Sequence, residues 1–548
     1  MKWYLLIFSG CFMLHSLVFA ETGKVENQAE IFQRMLDNKH IIKCGTLRLI
    51  ELLSDSSEQG LAFKKAYSGA ERPTKKKYAD SKAGHFRVHY DTDGDNAPDT
   101  TDVNMNGVPD YVDSALVFLE LAWDKVIALG YGKPKSDGTL GGSSAIDCYI
   151  EELARDSLYG YTSPDNSGLM GMTSSYMTID NNYSDTIYRT TDMDGMRITT
   201  AHEFFHIVQF SYFGGQGSGW WMEQTAVWFE DQMWDDINDY LNYTYYLFSD
   251  RNIPIDTYNG SFEYGASLFA VYIAERYGAD MIRKIWSTFK DTQSGDIEEI
   301  DTVLPDGLEQ ALSDFSVWLY FTGYRANSQD FFSEADIIKD TVKIDRYIDH
   351  VPAADSLIFS HYTFKYIEVI PANGFATGDT LKCSYENPGN GSWKRQVILY
   401  NDPYDYSVEK LDWQQPVVRV AKSFKNAILV VTNTSERGGQ YWFKFGFDIS
   451  SRQDVQEKNI PQKFVLNQNY PNPFNPTTTI TYTVPYTSTL SLRVLNLQGQ
   501  LVETLADGTT SPGAYTLTFG GSGLPSGTYI LMLDAGETRL TKKMTLLK

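Results

Sequence analysis

The chain is short of basic residues, of histidine and of cysteine. It has 47 lysines and arginines against 70 aspartates and glutamates, a net charge of −23, with eight histidines and four cysteines in 548 residues. This deficit of positive charge argues against a broad basic face, so we expect no nucleic-acid partner. The length predicts several domains.

Long apolar runs are absent beyond the N-terminus. Residues 1–20, MKWYLLIFSGCFMLHSLVFA, combine Lys2, an apolar run and the small residue Ala20. This pattern predicts a secretory signal peptide that is cleaved after Ala20. No other segment has about 18 consecutive apolar residues, so we expect no transmembrane segment in the mature chain.

Although histidine is rare, two of the eight lie four residues apart in AHEFFH, residues 201–206. On a helix, His202 and His206 share one face with about 5–6 Å between their Cβ atoms, so both imidazoles can reach one zinc ion. Glu203 lies one step round the helix, where it can hold a zinc-bound water and take its proton. The segment 196–213 has no glycine or proline and spaces its apolar residues helically, which predicts a buried helix.

A catalytic zinc ion usually has three protein ligands and one open position. Residues 219–231, GWWMEQTAVWFED, predict a second helix on which Glu223 and Glu230 share one face. Ala226 between them is small, so this helix can approach the first closely. Either glutamate can be the third ligand, and Glu230 can instead orient a histidine.

This arrangement resembles the gluzincin metallopeptidases, the superfamily of thermolysin and aminopeptidase N, over about residues 84–330. Their H-E-x-x-H is followed by a second helix with a glutamate ligand, often with tryptophan upstream and a small residue just after. Glu223 matches that position, so the resemblance favours Glu223 over Glu230. A group of secreted bacterial metalloproteases with a calcium-type loop before the zinc helix is the most similar.

The resemblance implies an α+β zincin-like catalytic domain and a secreted zinc metallopeptidase with a polypeptide substrate. Glu203 is the implied general base, and Tyr264 or Tyr272 is the implied stabiliser of the oxyanion. An edge strand near the zinc helix is implied to bind the extended substrate by strand addition, and we expect it at Ser174–Asp180.

Cysteine usage allows two interpretations. Three cysteines, Cys44, Cys148 and Cys383, lie beyond Ala20, and an odd number leaves one unpaired. Cys44 and Cys148 can form a disulfide. Alternatively, Cys44 within Lys43-Cys44-Gly45 caps the zinc ion in a latent precursor, because thiolate is a strong zinc ligand.

An acidic loop precedes the expected catalytic region at residues 91–113. Oxygen side chains fall at positions 1, 3, 5, 9 and 12 of an EF-hand-like loop, with Gly107 at position 6 for its sharp turn. The expected calcium ligands are Asp102, Asn104, Asn106, the Val108 carbonyl, Asp110 and Asp113. A second, weaker loop contains Asp91, Asp93, Asp95 and Asp99. We expect a structural calcium ion that ties the loop to a helix from Tyr111 to about Leu129.

The predicted fold class is multidomain, with the zincin-like domain followed by two all-β sandwich domains. After the signal peptide we expect a pro-region or N-terminal extension (21–83), the metallopeptidase domain (84–345), a β-sandwich (346–450), a polar linker (451–463) and a C-terminal domain (464–548). We predict the β-sandwich at 346–450 because apolar and polar residues alternate along its expected strands.

The C-terminal segment resembles the sorting domain of the bacterial type IX secretion system, an immunoglobulin-like β-sandwich. The resemblance rests on NYPNPFNPTTTI at residues 469–480 and on the closing Lys542-Lys543-Met544. It implies handling by the type IX secretion machinery of a Gram-negative bacterium, with release or anchoring at the cell surface.

Two other functions compete with peptide hydrolysis. One is a non-catalytic, calcium-stabilised surface adhesin, against which Glu203 argues because a purely structural metal site needs no general base. The other is a zinc hydrolase of a non-peptide substrate, which the sequence does not separate from a peptidase because pocket shape decides the substrate.

Overall fold

The computed structural model describes residues 27–35, 43–165, 172–214, 217–250, 252–386, 391–412, 414, 416–436, 438–450, 463–536 and 538–548. The expected signal peptide, and the expected linker except residue 463, lie outside the described residues. Within the described part, no helix is long and apolar enough to cross a membrane. The chain separates into two compact units. The first runs up to Ile449 without Gly378–Thr380, and the second comprises Gly378–Thr380 and Ser450–Lys548.

Helices dominate the first three hundred or so residues. They are α1 (Gln28–Met35), α2 (Thr46–Ser54), α3 (Glu58–Gly69), α4 (Asp110–Ala128), α5 (Asp192–Phe210), α6 (Gly219–Met233), α7 (Thr244–Ser249), α8 (Phe262–Gly265), α9 (Leu268–Tyr277), α10 (Asp280–Thr292) and α11 (Gly307–Tyr320). Short 3₁₀ helices lie at Leu140–Gly142, Ala154–Asp156, Asp239–Asn242, Ile297–Thr302 and Gly323–Arg325.

A five-stranded mixed sheet lies among these helices. Its strands are β1 (Lys77–Asp80), β2 (Phe86–Tyr90), β3 (Ile146–Glu151), β4 (Gly160–Pro164) and β5 (Ser175–Asp180), in the order β1-β2-β3-β5-β4. Strands β2, β3 and β5 run parallel, whereas β1 and β4 join antiparallel at the two edges. The expectation of an edge strand at Ser174–Asp180 is therefore wrong, because β5 lies between β3 and β4. The edge strand beside α5 is β4. Local sequence patterns do not encode the order of strands in a sheet, so they could not identify it.

Helices α5 and α6 are buried almost all round. Every residue of α5 from Met196 to Phe210 except Arg197 is buried, as is every residue of α6 from Gly219 to Glu230. Helix α5 packs against α6, α4 and strands β4 and β5. A helix surrounded on all sides cannot show a clean apolar stripe, which is why polar side chains on α5 and α6 have to find partners inside the protein.

One arginine ties the chain between α3 and β1 to the sheet. The Arg72 Nη1 atom lies 2.7 Å from Asp137 and also contacts Asp147 on β3, while its Nε and Nη2 atoms bind Asp165 at 2.8 and 2.7 Å. Three carboxylates thus share one buried guanidinium. Burial raises the pKa of Asp137 to about 6, because Arg72 only partly offsets burial and the nearby Asp147 and Asp165 add to it.

A pair of sheets follows α11. Their strands are β6 (Arg346–Ile348), β7 (Ala353–Phe359), β8 (Thr363–Val369), β9 (Thr380–Glu386), β10 (Trp393–Asp402), β11 (Asp405–Lys410), β12 (Val417–Arg419), β13 (Asn426–Asn433) and β14 (Tyr441–Ser450). The sheets have the orders β11-β10-β13-β8-β6 and β12-β9-β14-β7. Between them lies a core that includes Val431, Leu399 and Phe443.

The first of these two sheets is buried on both faces. Alternate residues of β13 point to opposite faces: Leu429 and Val431 join the core between the two sheets, whereas Ile428 and Val430 join the core of the helical region. Helix α11 packs on β10 and β13. The unbroken apolar run of β13, AILVV, is thus typical of a strand covered on both sides.

The second unit is all β. Its strands are β15 (Val465–Leu466), β16 (Thr477–Val484), β17 (Ser488–Leu495), β18 (Leu501–Thr510), β19 (Gly513–Gly520), β20 (Gly527–Ala535) and β21 (Thr538–Leu546), in sheets ordered β15-β16-β19 and β18-β17-β20-β21. Ile480, Leu492, Leu531 and Met544 are among the residues that fill its separate core. Burial alternates along β16, as expected for a strand with one solvated face.

From the three carboxylates around Arg72, we predict that Asp137→Asn stabilises the protein in a pH-dependent way. Because the folded pKa of Asp137 is raised, the folded protein loses stability as pH rises from about 4 towards 6, and asparagine does not ionise. We expect the variant to gain on the order of 1 kcal/mol over wild type at pH 8 but little at pH 4. Urea denaturation at the two pH values measures the difference.

The matched control for that prediction is Asp165→Asn. Asp165 holds Arg72 through two hydrogen bonds, so its neutralisation should destabilise the protein at pH 8. If both variants lost stability equally at pH 8, the excess of negative charge inferred around Arg72 would be refuted.

Candidate metal centre

Four buried side chains from three segments converge on one point. His202 and His206 come from α5, Glu223 from α6, and Cys44 from the residues just before α2, and their ligand atoms all lie within 4.8 Å of one another. The Nε2 atoms of the two histidines are 3.1 Å apart. The sulfur of Cys44 lies 3.4 Å from Nε2 of His206.

The opposite nitrogens of both histidine rings are already engaged. Nδ1 of His202 lies 2.6 Å from Oε1 of Glu230, and Nδ1 of His206 lies 2.7 Å from Oε1 of Gln209. The amide of Gln209 is fixed in this orientation, because its Nε2 donates to the Met222 carbonyl at 2.9 Å and to Thr225 at 3.0 Å. Each Nδ1 therefore serves as a donor, which leaves both Nε2 atoms to face the common point.

Glu223 contributes a carboxylate to the same point as the two histidines. Neither of its carboxylate oxygens receives a hydrogen bond from the described residues, although the side chain is fully buried. The two oxygens face Nε2 of His202 at 3.2 Å and Nε2 of His206 at 3.4 Å. Burial by itself would raise the pKa of Glu223, but the two histidines lower it to about 2, so the carboxylate is ionised.

These groups fit a divalent cation. Two imidazole nitrogens, a carboxylate and a thiol form the mixed N, O and S set that zinc takes. Burial lowers the pKa of His202, but Glu223 and Glu230 more than offset this and raise it to about 10. The Glu223 carboxylate thus favours positive charge at this point, either as a proton on the histidine or as a metal ion that displaces it.

Glu203 lies beside this set, next to the edge strand. Its Oε2 accepts hydrogen bonds from the hydroxyls of Thr162 on β4, at 2.8 Å, and of Thr46, at 3.2 Å. Gly160 at the start of β4 makes this close approach possible, because a Cβ there would lie 2.9 Å from Cγ of Glu203. The carboxylate is thus held between α5 and β4 by two hydroxyl donors.

Glu230 lies on the far side of His202 from Glu223. Its Oε1 contacts Nδ1 of His202, and its Oε2 lies 2.6 Å from Nζ of Lys43, which in turn lies 2.5 Å from Asp239. Burial lowers the pKa of Lys43, but Asp239 and Glu230 outweigh it and raise the pKa above the ordinary lysine value. Glu230 thus contacts the Nδ1 side of His202, whereas Glu223 faces its Nε2 side.

The two tyrosines named from the sequence lie in different surroundings. The Tyr264 hydroxyl accepts a hydrogen bond from the backbone N–H of Cys44 at 3.2 Å, so it borders the metal centre. Tyr272 instead packs with Phe269, Phe315 and Trp318 in an aromatic cluster. Cys44, Cys148 and Cys383 are free and buried, so the structure does not contain the Cys44–Cys148 disulfide.

Side chains of the Asp102 loop gather around its turn. Asp102 accepts from the backbone N–H groups of Asn106 and Gly107, and Asp113 accepts from the side-chain amides of Asn104 and Asn106. Gly107 has φ of +88°, the left-handed conformation expected at position 6. Asp110 accepts from the backbone N–H of Val103 in the same loop.

Three carboxylates of the second, weaker loop pair with cations, whereas the fourth, Asp99, accepts hydrogen bonds from Thr101. Asp93 binds Lys76, Asp95 lies 2.9 Å from Arg155, and Asp91 lies 3.5 Å from Lys75. These side chains are directed to three different partners rather than to a shared point.

Several side chains of the centre were not singled out from the sequence. Gln209 lies three residues after His206 on the same helix face, a spacing that could have identified it. Lys43, Thr162 and Asp239 carry no such signal, because they reach the centre from distant parts of the chain.

Comparison with known proteins bears on the C-terminal unit. Residues 468–546 match the family described as the secretion system C-terminal sorting domain. The protein carries a type IX secretion sorting domain. The expectation that it is secreted or displayed at the cell surface is thereby confirmed. No curated protein matches the chain.

Solved structures show only distant similarity. The periplasmic lysozyme inhibitor PliG of Salmonella Typhimurium is 12% identical, with coverage of 20% of this chain and 100% of that chain and a TM-score of 0.15. The Endo-D glycoside hydrolase domain of Streptococcus pneumoniae R6 is 13% identical, with coverage of 35% and 33% and a TM-score of 0.16. TM-scores this low support no conclusion about fold or function.

The buried ion pairs predict that Lys43→Met destabilises the protein. Methionine fills the space but leaves Glu230 and Asp239 buried without their cation, so the free energy of unfolding should fall by about 3–5 kcal/mol. The matched control is Lys76→Met, which removes an exposed pair with Asp93 and should change stability little. Urea denaturation with zinc present measures both, and equal effects would contradict the role given to Lys43.

Proposed function

We propose that the protein is a secreted zinc-dependent metallopeptidase with a zincin-like catalytic domain. His202, His206 and Glu223 would hold the metal, with Glu203 as general base. The observation that carries the proposal is the position of Glu203, beside a buried donor set and in contact with an edge strand. A purely structural metal site would not need a carboxylate in that place.

Each residue has a separate role in this mechanism. A zinc ion at the centre would polarise the peptide carbonyl and lower the pKa of a bound water. Glu203 accepts a proton from the attacking water and delivers it to the nitrogen of the leaving amine. Glu230 and Gln209 hold the histidine rings so that both Nε2 atoms face the metal. Tyr264, whose hydroxyl borders the centre, is the candidate donor to the oxyanion.

The edge strand favours a peptide over another substrate. Strand β4 is at the edge of the five-stranded sheet and contacts Glu203 through Thr162. If the chain's own residues 43–46 leave this edge, an extended polypeptide could pair with β4 in their place, which would bring a peptide bond alongside the general base. A hydrolase of small non-peptide substrates gains nothing from such a strand.

Glu203→Gln should retain zinc and lose hydrolysis. Glutamine keeps the size of the side chain but cannot take a proton, so we expect the rate to fall by about a hundredfold to ten-thousandfold. The assay is digestion of a peptide library, with and without a zinc chelator, before and after limited trypsin cleavage of the N-terminal region. Zinc content by atomic absorption shows whether the centre is intact.

Two outcomes would contradict the proposed function. Chelator-resistant hydrolysis would remove the metal from the reaction, and full activity of Glu203→Gln would remove the general base. As a matched control, Glu152→Gln alters a half-buried carboxylate that, among the described residues, accepts from the Ala154 N–H rather than from the centre, and it should leave hydrolysis unchanged.

We also propose that calcium binds the Asp102 loop and stabilises the N-terminal end of α4. At a calcium concentration a hundredfold above Kd, binding would add about 2.7 kcal/mol to the free energy of unfolding. We expect added calcium to raise the Tm of wild type and of Asp93→Asn, but not that of Asp102→Asn. Calorimetry of calcium-depleted protein, before and after calcium is added, measures the shift. An unchanged Tm in wild type would contradict the proposal that calcium stabilises the protein through this loop.

A further inference from the structure

The open side of strand β4 is already occupied by the protein's own chain. The N–H of Tyr159 donates to the carbonyl of Lys43 at 2.9 Å, and the N–H of Gly45 donates to the carbonyl of Gly160 at 3.0 Å. Cys44 and Gly160 form a parallel bridge. Residues 43–46, which we term the blocking segment, therefore extend the sheet beyond its edge strand.

Each side chain of the blocking segment meets a different part of the metal centre. The Cys44 sulfur lies 3.4 Å from Nε2 of His206 and within the ligand set, and the Thr46 hydroxyl donates to Glu203 at 3.2 Å. Lys43 binds Glu230, the partner of His202. The backbone N–H of Cys44 also donates a hydrogen bond to the hydroxyl of Tyr264.

Gly45 allows the segment to lie this close. A Cβ at Gly45 would be 3.0 Å from Cβ of Tyr161 on β4, 3.2 Å from Leu158 and 3.3 Å from Phe32. Helix α2, which follows at once, buries Leu49, Leu52 and Leu53. The segment is thus anchored on one side by packing and on the other by the Lys43 ion pairs.

We infer that the blocking segment is a built-in inhibitor in which Cys44 is a fourth metal ligand. The thiolate occupies the position that a catalytic zinc leaves open for water, while Thr46 engages the general base and the backbone fills the substrate strand. The chain described here is the latent form, and activity requires displacement or removal of the segment. This inference rests on the proposed peptidase function for its regulatory part, whereas the ligand assignment does not.

The test uses the full chain and two matched cysteine variants. Cys44→Ala removes the thiolate from the centre, and Cys383→Ala removes a buried free cysteine from the core between the two sheets. Cobalt(II) replaces zinc, because a cysteine ligand to cobalt gives a thiolate-to-metal charge-transfer absorption. Wild type and Cys383→Ala should show this absorption and Cys44→Ala should lack it, while all three bind stoichiometric cobalt.

Peptide hydrolysis by the zinc-loaded proteins tests latency. Without trypsin, Cys44→Ala should cleave the peptide library at least about tenfold faster than wild type or Cys383→Ala. After trypsin removes the N-terminal region, the three proteins should reach similar rates.

The outcomes separate the inference from the proposed function. A cobalt spectrum without the thiolate absorption in wild type, or with the same absorption in Cys44→Ala, would overturn the ligand assignment. Trypsin-treated wild type that is active, with untreated Cys44→Ala no faster than untreated wild type, would overturn latency through Cys44. If no protein cleaves peptides in any state while the absorption depends on Cys44, the peptidase proposal fails and Cys44 stands as a ligand of a closed metal site.

Discussion

Pairing of buried charges is the constraint on which the centre depends. Asp239, Lys43, Glu230, His202 and Glu223 form a continuous line of contacts in which acidic groups alternate with basic ones. An isolated charge inside a protein costs several kcal/mol, so each member is stable only because its neighbours have the opposite sign. The line ends at Glu223, whose carboxylate receives no hydrogen bond within the described part of the chain and faces Nε2 of both histidines.

The same constraint links the blocking segment to the rest of the centre. Among the described contacts, Lys43 is the one cation that binds Oε2 of Glu230, the oxygen that does not contact His202. Lys43 is also the residue next to Cys44, whose thiol lies among the candidate ligands. Departure of the segment would remove a cation and a ligand together. Glu230 would then keep His202 and gain water as partners, so removal of the segment would change the electrostatic surroundings of the histidine as well as access to the proposed metal position.

Local patterns predicted the parts of this site that lie within one helix. The four-residue spacing of His202 and His206 predicted their common face, whereas the preference for Glu223 over Glu230 came from the resemblance to the gluzincins. The order of strands could not be predicted in this way, and the strand expected at the sheet edge proved to be internal. Strand order depends on contacts between residues far apart in sequence, such as Cys44 with Gly160, and no periodicity records them. The sequence allowed Cys44 either to form a disulfide with Cys148 or to lie at the metal position. In the structure its thiol is free and lies 3.4 Å from Nε2 of His206.

The two-faced burial of strand β13 bears on how the first unit unfolds. Ile428 and Val430 belong to the core of the helical region, whereas Leu429 and Val431, their immediate neighbours, belong to the core between the sheets. One strand cannot leave one core and remain in the other. We therefore expect the helical region and the paired sheets to be coupled in unfolding, and a chain shortened after α11 to expose an apolar surface.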